Sequence, residues 1–220
     1  MKSLLLLLVT LVCFPATSGI LINGTRIVYS EASKAGSISI ENPEATRAYL
    51  IQSWVDRGDN SHTRDFIITP PLIRMDAGDK TELKIVRVAE LPKDRESLFW
   101  LNVRAIPSTK KSNTNSLQIA VKSRMKLFYR PLGMPTSAIE SYKKLVAHYS
   151  NGSIVVKNPT PFHVVFYSFA VDGRDIKSAD VIKPFSAVNF DINKSTSPKT
   201  VSWRLIDDFG SVTGLQKQNL

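Results

Sequence analysis

The chain has 220 residues, 43% of them apolar, and its 29 lysines and arginines outnumber 19 acidic residues for a formal charge of +10. That length supports one or two domains with sizeable cores, and a basic balance admits nucleic acid, an anionic membrane or an acidic protein as partner. Because the cations are spread along β-patterned segments rather than clustered with stacking aromatics, nucleic acid is disfavoured. In chain order, the first segment reads as a secretory leader over 1–18. Lys2 is its basic start, Leu4 to Phe14 its apolar stretch and Ala16-Thr17-Ser18 a small-residue cleavage site. The stretch falls short of the roughly 20 residues that span a bilayer. Cleavage after Ser18 would leave Gly19 first, remove the only cysteine, Cys13, and with it any disulfide. The expected product is exported, soluble and unstapled.

Beyond Ser18, short β-branched and aromatic runs recur between turn signals, and sustained helical periodicity is lacking. Ile20 to Tyr29 reads as a strand with Asn23-Gly24 as a turn or bulge inside it. Gly36 to Glu41 alternates and stops at Asn42-Pro43. Arg47 to Val55 puts Tyr49, Ile51, Ser53 and Val55 on one face. Phe66 to Thr69 ends at Pro70-Pro71, a rigid stop. Thr81 to Val88 and Leu98 to Ile106 follow, then a polar loop over Pro107 to Ser116.

The run Ser116 to Pro131, SLQIAVKSRMKLFYRP, organises the rest. Leu117, Ile119 and Val121 alternate with Gln118, Ala120 and Lys122, and Lys122, Arg124, Lys126 and Arg130 load the strand with cations. Such cations normally blunt an edge strand. The apolar row beside them could equally accept a partner strand, with backbone hydrogen bonds giving affinity and side-chain pockets giving register. An ordinary half-buried strand is the alternative. Lys126 and the apolar row have opposite parity, so a strict strand sends them to opposite faces, and a twist, a bulge or the long lysyl stem must reconcile the two.

Arg130 to Ser137, with Pro131, Gly133 and Pro135, reads as an interdomain connector. Ala138 to Val146 fits either a helical turn or a short strand. The pattern then restarts: Ser153 to Lys157 stops at Asn158-Pro159, and Phe162 to Val171 runs into Asp172-Gly173, a hairpin signal. Asp175 to Ile182, Ala187 to Ile192, Thr200 to Ile206 and Ser211 to Leu215 complete a second all-β unit. Two sandwiches are expected, over 19–137 and 138–220.

Catalytic signatures are missing. His62, His148 and His163 lack metal-ligand spacing, and there is no nucleophile elbow, phosphate-cradling loop or nucleophilic cysteine. Asp207 and Asp208 are adjacent and would point to opposite faces of a strand, so they read as a turn or a structural ion pair. Asn23, Asn151 and Asn193 head glycosylation sequons, of consequence only in a eukaryotic secretory pathway.

Taken in order, several segments resemble one family. They are Thr25 to Tyr29, Tyr49 to Trp54, Phe66 to Pro71, Leu91 to Trp100, Asn102 to Pro107, Arg124 to Pro131, Asn158 to Phe162 and Ile206 to Gly210. The chain is similar over its mature length to the PapD-like periplasmic chaperones of the chaperone–usher pathway. The resemblance implies two immunoglobulin-like β-sandwich domains arranged in an L with a cleft between them. It implies that Arg26 and Lys126 anchor the C-terminal carboxylate of a pilus subunit by charge-assisted bonds; without it, both read as edge-strand gatekeepers. It further implies that Leu117, Ile119 and Val121 form a donor strand lent to a subunit that lacks its last strand, and that Glu96, Arg130 and Asp208 set the interdomain angle. Pilus subunits (pilins and adhesin) and an outer-membrane usher are the implied partners, in the periplasm, with no catalysis, cofactor, metal or nucleic acid, and self-association of the free chain left open. The short 107–116 loop resembles the subclass associated with rod-like pili, and Asp207 stands where relatives often have asparagine. The competing readings are a fimbrial structural subunit, which would carry a cysteine pair and one incomplete domain, and an exported β-sandwich enzyme.

Overall fold

The computed structural model describes residues 19–58, 63–109, 117–134, 137–192 and 197–220. The expected leader, His62, most of the 107–116 loop, Pro135 and Asn193 lie outside them. Nine strands build the first unit: β1 (Leu21–Ile22), β2 (Arg26–Ser30), β3 (Gly36–Glu41), β4 (Tyr49–Asp56), β5 (Phe66–Thr69), β6 (Leu72–Met75), β7 (Lys80–Arg87), β8 (Ser97–Pro107) and β9 (Val121–Arg130). They form two sheets, ordered β1-β3-β7-β5 and β2-β9-β8-β4-β6. Alternation decides which side chains meet between them. Ile38 and Ile40 of β3 and Leu83 and Ile85 of β7 face Ile51 and Val55 of β4, Leu101 and Val103 of β8, and Leu127 and Tyr129 of β9, all buried in one cluster.

The segment expected as one strand over Ile20 to Tyr29 is divided between the two sheets. Leu21 and Ile22 pair antiparallel with β3, whereas Arg26 to Ser30 pair parallel with β9. The crossing falls at Asn23-Gly24, where Gly24 takes a φ of +146° that side chains disfavour. β6 was not apparent from the sequence, because its four residues follow Pro70-Pro71 directly and alternate only weakly.

The second unit comprises α1 (Ala138–Tyr142) and strands β10 (Val146–Ser150), β11 (Ser153–Asn158), β12 (Val164–Val171), β13 (Arg174–Asp175), β14 (Val181–Ile182), β15 (Ser186–Asp191), β16 (Thr200–Leu205) and β17 (Gln216–Asn219). One sheet is ordered β10-β11-β15; the other is β13-β12-β16-β17, with β14 also on β12. Ile154, Val156, Phe162, Phe166, Phe169, Val201, Trp203 and Leu205 fill a separate core. The ambiguous 138–146 stretch contains both options, a helical turn capped by Ser137 Oγ on the Glu140 amide and then the start of β10. Asp172-Gly173 forms the expected two-residue hairpin, both residues at positive φ.

Two of the expected strands are corrected. Asp175 to Ile182 is broken into β13 and β14 by a turn at Lys177-Ser178. Ser211 to Leu215 contributes only a bridge from Val212 to Ile206. The true edge strand begins at Gln216, because Thr213 Oγ1 accepts the Leu205 amide at 3.0 Å and shifts the register before β17 can pair.

Both Asn-Pro stops do the same work. Asn42 Nδ2 donates to the carbonyls of Arg47 and Asp76, each at 2.8 Å. Asn158 Nδ2 donates to the Phe162 and Lys183 carbonyls at 2.7 and 3.0 Å. Each fully buried amide thus ties a strand end to two loops.

The second sandwich is closed by a side chain acting as backbone. Gln218 Nε2 donates to the Ala147 carbonyl at 2.6 Å and its Oε1 accepts the Ala147 amide at 3.0 Å, joining β17 to β10 across the two sheets. Gln218→Ala is expected to lower stability by about 1–3 kcal/mol through the two orphaned backbone groups, read as a lower urea midpoint with unchanged slope. An unshifted midpoint would show that water replaces the clasp at no loss.

Candidate functional site: the interdomain face of β9

β9 is two-sided. Its register against β8 runs without a bulge from Ser97↔Tyr129 to Ala105↔Val121. Odd residues Met125, Leu127 and Tyr129 therefore enter the first core, while Lys126, Phe128 and Arg130 turn toward the second unit. The parity conflict between Lys126 and the apolar row is real, and no bulge relieves it.

At the end of β9, Arg130 joins three segments. Its Nε and Nη2 donate to Glu96 Oε1 at 2.9 and 2.7 Å, and its Nη1 and Nη2 donate to Asp208 Oδ2 and Oδ1 at 2.7 and 2.8 Å. The second oxygen of Glu96 accepts the His163 amide at 2.8 Å, and the Glu96 amide donates to the Pro161 carbonyl at 2.8 Å. Glu96 is buried. Burial alone would depress the Arg130 guanidinium, but the bonds to Asp208 and the charges of Glu96 and Asp208 outweigh it and hold it above its ordinary value. Phe162 lies beneath the guanidinium, 5.0 Å away. The same carboxylates, after burial itself, push the Tyr142 hydroxyl upward. Asp208 stands in a turn that Asp207 holds by accepting the Phe209 and Ser211 amides at 2.9 and 2.8 Å. Gly210 is required there, since a Cβ would lie 2.4 Å from Thr25 Oγ1.

Arg26 and Lys126 are register partners on the parallel strands β2 and β9, so one spacing of the sheet separates their backbones. Arg26 Nη1 donates across to the Ile206 carbonyl at 3.1 Å, and its guanidinium lies over Phe128. Its Nε is buried with no hydrogen-bond partner. Burial lowers the guanidinium below its ordinary value, opposed by the charges around it, Asp208 and Asp207 among them. Lys126 Nζ sits 3.2 Å from Asp180 Oδ1 of the second unit and 4.9 Å from the Trp100 ring. Arg124 also lies over the Trp100 ring, 4.3 Å from its centroid, and its Nη2 bonds Asp56 at 2.8 Å.

Leu117, Ile119 and Val121 are brought together but not as one strand. Only Val121 is in β9; residues 117–120 are irregular, and the three side chains are 87, 67 and 59% exposed. Val121 pairs with Ala105, and the last two residues of β8, Ile106 and Pro107, have no backbone partner in the 117–120 segment. Gln118 Nε2 on the Pro107 carbonyl, at 2.6 Å, holds the segment nearby. The three side chains line a groove with Tyr49, Ala105 and Pro107, on the same face as the first core. On its outer side β9 pairs with β2 only over 126–130. Residues 121–125 therefore present an unpaired edge that begins where Arg26 and Lys126 end. Sequence periodicity could not find this edge, because it depends on how far β2 extends. Among the described residues no group of three or more His, Cys, Asp or Glu side chains is placed to hold a metal.

A double sandwich with a basic, half-covered interdomain face and an exposed apolar row beside an open edge defines a polypeptide-binding module. Two family profiles cover nearly all of it: the pili and flagellar-assembly chaperone, PapD N-terminal domain, matches residues 19–135, and the pili assembly chaperone PapD, C-terminal domain, matches 140–217. The chain is 34% identical over 207 residues to the chaperone protein LpfB of Salmonella typhimurium, covering 92% of this chain and 89% of that one. It is 39% identical over 197 residues to the probable fimbrial chaperone protein ElfD of Escherichia coli K12, covering 89% and 84%. Among solved structures, the complex of the Salmonella enterica SafA pilin with the SafB chaperone gives a TM-score of 0.83 at 27% identity, covering 94% of this chain and 99% of that one. The chain belongs to the PapD family of pilus-assembly chaperones. Its fold is that family's pair of immunoglobulin-like sandwiches in an L, it is not an enzyme, and pilus subunits are its class of partner. The readings as a fimbrial subunit or an exported enzyme fall away.

Two outcomes follow from this geometry. Arg130→Ala leaves Glu96 buried and uncompensated and should lower stability by about 3–5 kcal/mol, measured by urea unfolding; a loss below 1 kcal/mol would mean that water replaces the guanidinium. The second concerns Asp56, which burial alone would raise but which bonds from Arg124, the Gly58 amide and Asn102 hold below the ordinary aspartate value. A depressed native value means the stabilisation is complete above the unfolded-state value and is lost as pH falls through the native one. Asp56→Asn should thus be less stable than the parent at pH 7, with the gap closing on acidification. A gap independent of pH would contradict this.

Proposed function

We propose that the chain works in the periplasm, capping pilus subunits by donor-strand complementation and passing them to an outer-membrane usher. Leu117, Ile119 and Val121 are the donor residues, Arg26 and Lys126 anchor the subunit's C-terminal carboxylate, and the Glu96–Arg130–Asp208 trio keeps the cleft at a constant angle. The domains in this reading are 19–137 and 138–220, a division supported by the two separate cores, with 1–18 as the cleaved leader.

The observation that carries the reading is the coincidence of the open edge and the anchor. A guest strand pairing with 121–125 would continue the line of β2, so its terminus would arrive at Arg26 and Lys126. The exposed apolar row lies on the core face, so a subunit lacking its final strand would fuse its core with that of the first sandwich. Burial could contribute about 1.5–3 kcal/mol per large side chain, less the ordering of residues 117–120. With the anchor setting the terminus, register follows, and a one-residue slip would turn the apolar row to the wrong face. The free chain's exposed row also supports self-association as a way of hiding it.

Co-expression with a pilin and affinity capture tests the assignment. Lys126→Ala and Ile119→Asp should each reduce recovered pilin at least tenfold, whereas Lys84→Ala on the far sheet should not. Equal recovery with all three variants would defeat it.

A further inference from the structure

Among the described residues, the polar links between the sandwiches include three that involve side-chain cations bonded to oxygen: the Arg130 cluster at the hinge, Arg26 on the Ile206 carbonyl, and Lys126 with Asp180. The third differs in kind. Lys126 is largely covered, its side chain 18% exposed, whereas that of Asp180 is 69% exposed. Asp180 stands immediately before β14, and its own carbonyl accepts the Phe166 amide at 2.8 Å, so the backbone beneath the carboxylate is held in place. Asp180 is therefore a tethered carboxylate, delivered by the second sandwich to the cation proposed to receive the subunit's terminal carboxylate.

We infer that Asp180 is an affinity-setting residue, a built-in counter-ion that occupies Lys126 in the empty cleft and must be displaced by the incoming C-terminal carboxylate. This rests on the assignment of Lys126 as an anchor. Two carboxylates compete for one ammonium with three donors, and their mutual repulsion opposes shared occupancy. The exchange is easy in one direction because Asp180 is already mostly in water and regains its hydration on release. It keeps the ammonium from searching for other acidic groups while the cleft is empty, and it confines tight binding to ligands that bring backbone pairing and apolar burial together with the charge. A free carboxylate alone gains little by replacing one that is already there.

The test uses the full mature chain and two synthetic ten-residue peptides of alternating apolar residues, one ending in a free carboxylate and one in an amide. Binding is followed by fluorescence, with Trp100 beside Lys126 as one reporter. An exposed ion pair of this type corresponds to about a two- to fivefold change in affinity. Asp180→Asn should bind the free-carboxylate peptide tighter by that factor and leave the amide peptide unchanged. Asp175→Asn, which removes the same charge from a nearby exposed position, should change neither. In a Lys126→Ala background, Asp180→Asn should have no further effect. If Lys126→Ala weakens the free-carboxylate peptide selectively but Asp180→Asn does not tighten it, the counter-ion role is wrong and the anchor stands. If Lys126→Ala leaves the two peptides equally affected, the anchor assignment fails and the counter-ion role fails with it.

Discussion

One guanidinium bonds carboxylates from both sandwiches at once. Arg130 ends β9 of the first, takes a carboxylate from Glu96 just before β8 and a second from the 207–210 turn of the other sandwich. Its planar fork satisfies both at once, a geometry that a lysine's point charge cannot reproduce. Glu96 then spends its remaining oxygen on the backbone of His163. On the same interdomain face the Ile206 carbonyl and Asp180 lie against Arg26 and Lys126.

The second constraint is that one strand serves three surfaces. Met125, Leu127 and Tyr129 of β9 belong to the first core, Lys126, Phe128 and Arg130 to the interdomain face, and its outer backbone edge over 121–125 is left unpaired by β2. An exposed edge is ordinarily an aggregation hazard. Here it is short, carries Lys122 and Arg124 within it, and is preceded by a segment without regular pairing. The edge can remain available without a flat, apolar, self-complementary strand being displayed along its whole length.

Without any cysteine after Cys13, each sandwich is held by packing and by side chains that imitate backbone. Asn42 and Asn158 gather loops at equivalent places in the two units, and Gln218 bridges the open side of the second. Two cores of this size can dispense with covalent cross-links, provided that buried polar groups such as these amides find partners.

The side chains Arg26, Lys126, Arg130, Glu96 and Asp208 were singled out only by the resemblance of the ordered segments to one family, whereas alternation of apolar residues and the Asn-Pro and Asp-Gly stops pointed from the sequence itself to a pair of β-sandwiches with a connector near Pro131. These are local signals: period, turn chemistry and residue type are written one neighbourhood at a time. What needed the folded chain was every relation between distant segments. The division of 20–29 between two sheets, the delayed start of β17 and the missing strand over 117–120 each depend on which partner backbone is in reach. So does the pairing of Lys126 with Asp180, which fell inside the expected Asp175 to Ile182 strand with nothing to mark its partner. Its importance comes wholly from the hinge geometry, which places a carboxylate from one sandwich 3.2 Å from an ammonium of the other.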